Sequence, residues 1–327
     1  MENSNHKTIW GITIENERNF WDSYLINLFI NPPKRCKYCN QGLIYLRKNN
    51  SIINPYLGKC NQYKCNREIY LRINTIFEAQ NKTPASVLYN VIKFWLNDEF
   101  NAKKISNKLK EVYSLENVNP LFIYKFLHNC RIILANYIRT TYQLDPLAYS
   151  EANDMVAVDE SLFSHLNEEQ VWFVGLINLK TNDIRLEMVE NRSSETLKKI
   201  IEKHVMRGNS IITDSWPSYN FLDDVNSGYS HIKYNHANGH FGYSSRIEGV
   251  WGEFKALFKK LYSSIRSKNL LYFIREIEFR RLIKNLNLDD KLKKFSEVIE
   301  CVGNGIKEKL LSDDELSSLN YDTFFDD

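Results

Sequence analysis

The sequence predicts a multidomain α/β protein, and three patterns along its 327 residues lead to this fold class. Two close pairs of cysteines stand near the N-terminus, helical periodicity runs from 84 to 142, and short apolar runs alternate with helices from 155 to 261. A chain of this length can form two or three domains. Its hydrophobic content of 43% and its aromatic content of 13% are sufficient to fill their cores.

Residues 1–33 carry spaced apolar positions, so we expect an N-terminal helical extension there. They lack the basic start and apolar centre of a signal peptide, and no run in the chain reaches the ~20 apolar residues of a membrane span. We therefore expect a soluble, intracellular protein with no membrane partner, nuclear in a eukaryotic host and otherwise cytoplasmic. Disulfides are rare inside cells, so the six cysteines need another explanation.

Four cysteines in the segment 34–75 predict a structural zinc ribbon. Cys36 and Cys39 form one close pair, and Cys60 and Cys65 form the second. Each pair can present two thiolates from a tight turn, and two such turns complete the tetrahedron that Zn²⁺ prefers. Four thiolates leave no open coordination position, so this zinc is expected to hold structure. The alternative is a set of unrelated thiols.

The remaining cysteines and most of the histidines have no motif around them. We expect isolated Cys130 and Cys301 to be buried as small hydrophobic side chains. The histidines expected at the surface are His165, His204, His231 and His240.

The segment 84–145 predicts three helices. Apolar residues recur at three- and four-residue steps over three stretches, about 84–97, 102–113 and 120–142. Thr83 followed by Pro84 suits a capping residue and a first-turn proline. A short helix, a brief break and a longer helix give the outline of a DNA-binding helix-turn-helix, although an ordinary helical bundle fits the same pattern.

Charged residues are distributed unevenly along the chain. Residues 101–140 hold seven Lys or Arg against two Glu, and residues 253–284 hold nine against three acids. The last seventeen residues, 311–327, hold six acids and no base, which predicts an acidic tail. This distribution favours a polyanionic partner, although each basic run alone also fits a solvated helix face. In the basic segment 101–140, the residues expected to contact DNA phosphates are Lys103, Lys104, Lys108, Lys125 and Arg131.

After about residue 150 the pattern changes to short strands, and the segment 150–265 predicts a separate domain. Five apolar runs indicate strands at about 155–159, 171–179, 184–189, 210–213 and 231–234. Helices are expected between the later strands and after the last one. Three hairpin-joined strands followed by alternating units predict a mixed five-stranded sheet with flanking helices, the order of the ribonuclease-H-like fold. Residues 266–310 are expected to form C-terminal helices.

Three carboxylates are the strongest candidates for a catalytic site. Asp159 and Asp214 each follow an apolar run, and Glu248 stands near the start of the helix predicted at 246–261. Strands often finish in Asp, so neither aspartate alone indicates a site. The expected fold places their two strands side by side at the sheet centre and packs the helix against them. Three clustered carboxylates without a soft ligand suit one or two Mg²⁺ or Mn²⁺ ions.

The helix at 246–261 presents an apolar stripe and a polar side. The stripe consists of Ile247, Trp251, Phe254, Phe258 and Leu261, which recur at three- and four-residue steps. Lys255 stands seven residues beyond Glu248, two helical turns on, so both project from the same side of the helix. A carboxylate and a lysine are thus expected to point at one place.

Five motifs together resemble the DDE transposases of the Merlin superfamily and their bacterial insertion-sequence relatives. They are Val-Ala-Val-Asp159-Glu160, the run from Glu190 to Leu197, Ile-Ile-Thr-Asp214-Ser-Trp216-Pro-Ser-Tyr219, Tyr234-Asn-His236 and Arg246-Ile-Glu248-Gly-Val-Trp251. The family's zinc ribbon and helical DNA-binding segment are similar to residues 34–142. Some bacterial relatives carry Asn at the third acidic position, where this chain has Glu248.

The resemblance implies a DNA transposase that binds terminal inverted repeats and performs metal-dependent strand cleavage and strand transfer. Asp159, Asp214 and Glu248 would hold two Mg²⁺ or Mn²⁺ ions, and Lys255 would contact a phosphate near the scissile bond. His236 and Arg246 are further expected DNA contacts, although loop capping also explains His236.

The resemblance also bears on the oligomeric state and leaves an alternative function open. Assembly on paired double-stranded DNA ends implies at least a homodimer. The alternative to catalysis is a transposase-derived DNA-binding regulator, and a stand-alone ribonuclease-H-like nuclease would leave the zinc ribbon and the helices without a role.

Overall fold

The computed structural model describes the residues in the ranges 9–73, 75–80, 82–99, 101–142, 145–149, 153–166, 169–234, 244–261 and 267–302. The chain divides into two compact units. One contains residues 1–133 and 285–327, and the other contains residues 134–284. The predictions for His236 and for the acidic tail lie outside the described residues.

The first unit begins with a short helix and a small sheet. Helix α1, Ile14–Phe20, is capped by the Thr13 side chain, which accepts a hydrogen bond from the Asn16 backbone N–H. Three antiparallel strands follow in the order β1-β2-β3. They are β1 Ile44–Lys48, β2 Tyr56–Cys60 and β3 Glu68–Tyr70. Short apolar runs at 44–46 and 69–71 predict the two outer strands, and the structure adds the central one.

Helices complete the first unit. They are α2 Ala85–Leu96, α3 Ala102–Tyr113 and most of α4 Pro120–Tyr137, with α8 Leu288–Val302 at the C-terminal end. The bounds of α2 and α3 agree with the prediction, but the N-cap of α2 is Pro84 and not Thr83. Ser114 adopts a left-handed conformation with φ 53° after α3, which ends that helix before α4 begins.

The second unit is built on a five-stranded mixed sheet, which confirms the predicted fold class. Its strands are β4 Met155–Leu166, β5 Glu169–Asn178, β6 Ile184–Val189, β7 Ser210–Thr213 and β8 Ser230–Lys233. Their order across the sheet is β6-β5-β4-β7-β8. Strands β4, β5 and β6 are antiparallel neighbours, whereas β7 and β8 run parallel to β4. This is the predicted ribonuclease-H-like order.

Helices cover both faces of this sheet. Helix α5, Ser194–His204, is capped by Ser193, one of the two adjacent serines that the sequence offers as its cap, and it packs with Val156 and Val158 of β4 on one face. Helix α6, Ser244–Leu261, packs with Ala157 of β4 on the other face, where α7, Ser267–Leu282, also contributes. Successive residues of a strand point to opposite faces, so β4 supplies both cores. Among the described residues, no helix is both long enough and apolar enough to cross a membrane.

Burial corrects several expectations for isolated residues. Cys130 is buried as predicted, but Cys301 is exposed. His204 is buried, and its Nε2 lies 2.7 Å from Oε1 of Glu187. The His231 ring lies between Thr213 Oγ1 and Asp223 Oδ1, at 2.9 and 2.7 Å. These two histidines are therefore structural and not surface side chains, whereas the side chains of His165 and His240 lie outside the described residues.

Candidate active site and cysteine cluster

The four predicted cysteines form one cluster in the first unit. The Sγ atoms of Cys36, Cys39, Cys60 and Cys65 all lie within 4.8 Å of one another. Cys36 Sγ lies 3.7 Å from Cys65 Sγ, and Cys39 Sγ lies 3.8 Å from Cys60 Sγ. A tetrahedral ion with metal–sulfur bonds of about 2.3 Å needs sulfur–sulfur edges of about 3.8 Å. The cluster can therefore hold a tetrahedral thiolate-bound metal ion.

Backbone groups around the cluster favour the thiolate form of its first pair. The Gly42 N–H donates to Cys39 Sγ at 3.3 Å. This bond, together with one from Gln41, lowers the pKa of Cys39 to about 6. Gly42 is also required for steric reasons, because a Cβ at this position would overlap Cys60 Sγ. Metal ligation by cysteine requires the thiolate, so the backbone hydrogen bonds of this turn favour the form of Cys39 that binds a cation.

Strand register places the two candidate aspartates level with each other in the second unit. Ala157 of β4 pairs with Ile212 of the parallel strand β7. Two residues further along each chain stand Asp159 and Asp214. Steps of two keep a side chain on the same face of a strand, so both aspartates belong to the face that carries α6. This arrangement is the one that their positions in the sequence predict.

The structure differs from the prediction in where β4 ends. We expected the strand to stop at Asp159, but β4 continues to Leu166 through its pairing with β5. The pairing with β7 stops at Ala157, because β7 itself ends at Thr213. Asp159 thus stands in the middle of a long strand, at the point where its neighbour on one side has ended.

Helix α6 approaches the sheet closely at a glycine that the sequence analysis did not single out. Gly175 of β5 pairs with Asp159. A Cβ at Gly175 would lie 2.5 Å from Cζ2 of Trp251, so only glycine admits the indole ring here. The Trp251 Nε1–H donates to Asp159 Oδ2 at 3.0 Å. A glycine inside a strand often marks such a close approach, and that signal was present in the sequence.

The pKa of Asp159 is affected by the other two candidate carboxylates. Burial raises the pKa of Asp159 to about 6, and the negative charges of Asp214 and Glu248 add to the rise. Hydrogen bonds from the Glu160 N–H and the Trp251 indole act in the opposite direction. Glu248 of α6 therefore lies within electrostatic range of Asp159.

Tyr234 lies within electrostatic range of this carboxylate group. The side chain follows β8 and is buried. Burial raises the pKa of its hydroxyl, and the charges of Asp159, Asp214 and Glu248 raise it further, in that order. The hydroxyl therefore stays protonated near three negative charges, as a hydrogen-bond donor.

The three carboxylates are less tightly grouped than the cysteines. In the part of the chain that the structure describes, only the cysteine cluster has at least three metal-ligating atoms within 4.8 Å of one another. Mutual repulsion between carboxylates opposes closer approach when no cation balances their charge. Glu248 and Lys255 are both exposed on α6, two turns apart. The buried side of that helix contains Ile247, Val250, Trp251 and Phe254, while the side chains of Phe258 and Leu261 lie outside the described residues.

Glu160 lies on the opposite face of the sheet from the three carboxylates. The side chain of Tyr219 is buried, and its hydroxyl interacts with Glu160. Burial raises the pKa of Tyr219 well above its ordinary value, and the charge of Glu160 raises it further. Glu160 is therefore a neighbour of the site and not one of the facing carboxylates.

The side chains predicted to contact DNA differ in exposure. Lys103 and Lys104 are exposed on α3, and Lys125 is partly exposed on α4. Lys108 forms an ion pair with Glu99 at 3.3 Å. Arg131 is 2% exposed, which does not fit the predicted phosphate contact.

Arg246 has a structural partner in the second unit. Its Nη1 donates to the Leu179 carbonyl at 2.5 Å and to Asn182 Oδ1 at 3.2 Å. These bonds attach the start of α6 to the turn after β5. Arg246 is exposed although these two hydrogen bonds hold its side chain in place.

Gly175→Ala is expected to destabilise the second unit by about 1–3 kcal/mol, the usual range for an overpacked core. The added methyl group displaces Trp251, which also removes the indole hydrogen bond to Asp159. Urea unfolding measures the change. Gly249→Ala is the matched control, because a Cβ at Gly249 meets no atom within 4 Å and alanine favours the helix. Equal stability of the two variants would contradict the close approach.

Asp159→Asn is expected to raise the free energy of unfolding at pH 7 by about 1–3 kcal/mol in the absence of divalent cations. The folded state holds a proton on Asp159 more tightly than the unfolded state, since its pKa rises from 3.8 to about 6. Wild-type stability thus falls as the pH rises through this window, and the penalty is complete above about pH 6. The difference should shrink between pH 7 and pH 5 in urea titrations; a pH-independent difference would refute the assignment.

One protein-family model matches part of the chain. Residues 153–281 match the ISXO2-like transposase domain. This match confirms the resemblance to transposases that the motifs predicted. No curated protein matches the chain.

Two solved structures illustrate the structural similarity. A chain in the cryo-EM structure of the simian T-cell lymphotropic virus intasome in complex with PP2A regulatory subunit B56 gamma is 16% identical, with a TM-score of 0.32. That alignment covers 44% of this chain and 50% of the chain in the viral structure. The HTLV-2 integrase catalytic core domain in complex with magnesium is 14% identical, with a TM-score of 0.24, over 47% of this chain and 84% of that one. Similarities this low support no conclusion about activity.

Proposed function

We propose, from the match of residues 153–281 to the ISXO2-like transposase domain, that the protein is a DNA transposase of the DDE type. It binds the terminal inverted repeats of its element and performs metal-dependent strand cleavage and strand transfer. The observation that carries the proposal is the level placement of Asp159 on β4 and of Asp214 directly after the parallel strand β7, with Glu248 of α6 in electrostatic range of Asp159. We place the chain with the Merlin superfamily and its insertion-sequence relatives.

The carboxylate group suits a hard divalent cation. Oxygen ligands, few in number and with no sulfur among them, are what Mg²⁺ and Mn²⁺ prefer. Burial raises the pKa of Asp159, and the negative charges of Asp214 and Glu248 raise it further, so a cation bound there would stabilise the ionised carboxylate. We therefore assign Asp159, Asp214 and Glu248 as the ligands of Mg²⁺ or Mn²⁺. Bound there, two such ions would supply a nucleophilic oxygen and balance the charge of the leaving one.

The proposed reaction is a displacement at phosphorus. A water oxygen forms a bond to the phosphorus at the transposon end, the bond from phosphorus to the 3′-oxygen breaks, and a 3′-hydroxyl is released. That hydroxyl then attacks a phosphorus of the target strand in the same way. The protein orients the groups: Trp251 holds the Asp159 carboxylate by its indole N–H. No covalent bond between protein and DNA forms.

Lys255 is proposed to bind a phosphate beside the scissile bond. It is exposed on α6, on the same side as Glu248. A lysine cation about 10 Å along the helix from Glu248 offers the DNA backbone a positive contact where the site itself is negative. The proposed DNA contact of Arg246 coexists with its anchoring bonds, and that of His236 stays a prediction.

The first unit is proposed to recognise the DNA ends. Its cysteine cluster would hold Zn²⁺ in a closed, structural site, since sulfur–sulfur distances of 3.7 and 3.8 Å match four thiolates around one ion. Exposed Lys103 and Lys104 on α3, with partly exposed Lys108 and Lys125, are the proposed phosphate contacts. Arg131 is omitted because of its burial. The proposed assembly is at least a dimer on two ends.

A second candidate function is a transposase-derived DNA-binding regulator. One observation favours it: within the described residues, the three carboxylates do not share the 4.8 Å grouping that the cysteines show. A regulator would need only the ribbon and the helices, and its carboxylates would be relics. The two functions differ in whether the protein nicks DNA when Mg²⁺ is supplied.

The test of the proposal begins with the DNA that flanks the gene. An active element carries matching inverted repeats on both sides, bounded by a short direct duplication. We expect these repeats to bind the purified protein in preference to a shuffled duplex of equal composition. Several copies of the gene that all lack such repeats would favour the regulator.

A further inference from the structure

An arginine lies between two tryptophans beside the carboxylate site. The guanidinium carbon of Arg192 lies 3.6 Å from the ring centroid of Trp172 and 5.2 Å from that of Trp216. Trp216 is 43% exposed, and the other two side chains are partly exposed. We call Trp172, Arg192 and Trp216 the Trp–Arg–Trp stack. The motifs of the sequence contain two of its members, Arg192 and Trp216, and the proposed reaction uses neither.

The backbone ties this stack to a candidate catalytic carboxylate. The Trp216 N–H donates to Asp214 Oδ1 at 2.9 Å, so the start of the turn that carries the exposed indole is held by the carboxylate. Trp172 of β5 pairs with Leu162, three residues beyond Asp159 along β4. Three residues of strand extend about 10 Å. The stack therefore stands at the same end of the sheet as the carboxylates, with Trp172 on the opposite face of β5 from the one that carries α6, which is also the face of Glu160.

Arg192 also lies within electrostatic range of this region. Burial raises the pKa of Glu160, and the positive charge of Arg192 acts against that rise. Within the described ranges, Arg192 forms no salt bridge with a carboxylate. Its charge is thus held by aromatic rings and remains available to an anion.

The geometry of the stack matches the parts of a nucleotide. A guanidinium that stacks by its face on an indole keeps its N–H groups at the edge, where they can donate to phosphate oxygens. The exposed part of the Trp216 indole can stack on any base, because every base has a π-face. A single residue pair thus offers one surface to a base and one set of donors to its phosphate.

We propose that the Trp–Arg–Trp stack binds an unpaired base and the adjoining phosphate of the DNA strand next to the cleavage site. The base stacks on Trp216, and the phosphate accepts hydrogen bonds from Arg192. This inference rests on the proposed function, because DNA is the ligand in both. It adds a binding site for single-stranded DNA to the three carboxylates and assigns Arg192 and Trp216 to it.

The test measures binding of a fluorescent oligothymidine strand to the full-length protein without added Mg²⁺. Trp216→Ala is expected to weaken this binding by about 5- to 150-fold, the range for loss of one base–aromatic stack. Trp216→Phe keeps an aromatic face and should retain most of the affinity. Val225→Ala is the matched control, since Val225 is 98% exposed in the same unit and carries no aromatic ring. Its binding should equal that of the wild type.

Tryptophan emission gives an independent readout. The other indoles outside the stack are buried: Trp10, Trp21, Trp95 and Trp251 are 7%, 0%, 0% and 5% exposed. Quenching by the oligonucleotide should therefore come from the stack, and Trp216→Phe should lose most of it. Arg192→Ala should make binding less dependent on salt, because one phosphate contact is gone.

The outcomes separate this inference from the proposed function. Wild-type affinity and quenching in a folded Trp216→Ala variant would overturn the inference. The proposed strand cleavage would not be contradicted by that result. A wild-type protein that binds the strand through Trp216 but never nicks DNA in Mg²⁺ would overturn the proposed function alone.

Discussion

Asp214→Asn is expected to lower strand cleavage at the transposon ends by about 10³-fold or more, or about 4 kcal/mol of transition-state stabilisation. The amide removes the negative charge that a catalytic cation needs but keeps the shape of the side chain. Its oxygen can still accept the hydrogen bond that Asp214 Oδ1 receives from the Trp216 N–H at 2.9 Å. The turn after β7 is thus retained, and binding to the DNA ends should be unchanged. Gel assays of nicking and of end binding measure both effects.

The chain offers a matched control for this variant. Asp224 Oδ1 accepts the Asn226 N–H at 2.8 Å, in the same kind of turn but without a place among the three carboxylates. Asp224→Asn should therefore cleave like the wild type. If Asp214→Asn also cleaves at the wild-type rate, the catalytic assignment is wrong. If both variants lose activity, the cause is the turn and not the metal ligand.

Cys39→Ser is expected to release the structural zinc and to unfold the three-stranded sheet. Structural zinc binding is worth about 10–16 kcal/mol in small zinc-dependent folds, so losing one thiolate removes a large part of what stabilises the ribbon. Cys39 is also the thiol whose pKa the turn lowers to about 6, mainly through the Gly42 N–H. Atomic absorption gives the zinc content, and end recognition should weaken with it.

Cys301→Ser is the control for zinc release. Cys301 is exposed in α8 and lies outside the cluster, so its loss should leave one zinc ion per chain. Unchanged zinc content in Cys39→Ser would remove the zinc assignment. Zinc loss in both variants would show that the ion is bound elsewhere.

Most elements of the fold can be predicted from the sequence because their signals are local. The cysteine pairs at 36–39 and 60–65 indicate the ribbon through spacing alone. The apolar run 210–213 and the periodic segment 102–113 agree with β7 and α3 at both ends. Their boundaries coincide with chemistry: Asn101 caps α3, and Asp214 follows β7. Caps and strand ends of this kind are determined by a few neighbouring residues.

The remaining features depend on partners far along the chain. Strand β4 extends past Asp159 because β5 pairs with it out to Leu166. The signal for Gly175 was present as a glycine inside a strand, but its reason, the Trp251 ring of α6, becomes visible only after folding. His204 is buried, and its ring nitrogen Nε2 bonds to the carboxylate of Glu187 in β6, outside its own helix. Sequence periodicity carries no information about such non-local contacts.

The site is predictable in its residues and less so in its supports. Asp159, Asp214 and Glu248 were found as acids at element ends, and the structure brings their charges within range of one another. The indole donor to Asp159 was read only as part of an apolar stripe. The charge of Arg131 predicts a phosphate contact, but the side chain is buried in the fold and cannot reach DNA. Charge predicts a partner, whereas packing decides which charges are accessible.

The most direct test of the central claim, that three carboxylates cut DNA with a divalent cation, is to analyse the DNA product. A duplex that contains one terminal repeat and its flank is incubated with the wild-type protein, with and without Mg²⁺. We predict a nick at the outer edge of the repeat only when Mg²⁺ is present, with a free 3′-hydroxyl that a polymerase can extend and no protein attached to the strand. Specific binding of the repeat without any nick, in Mg²⁺ and in Mn²⁺, would contradict the account.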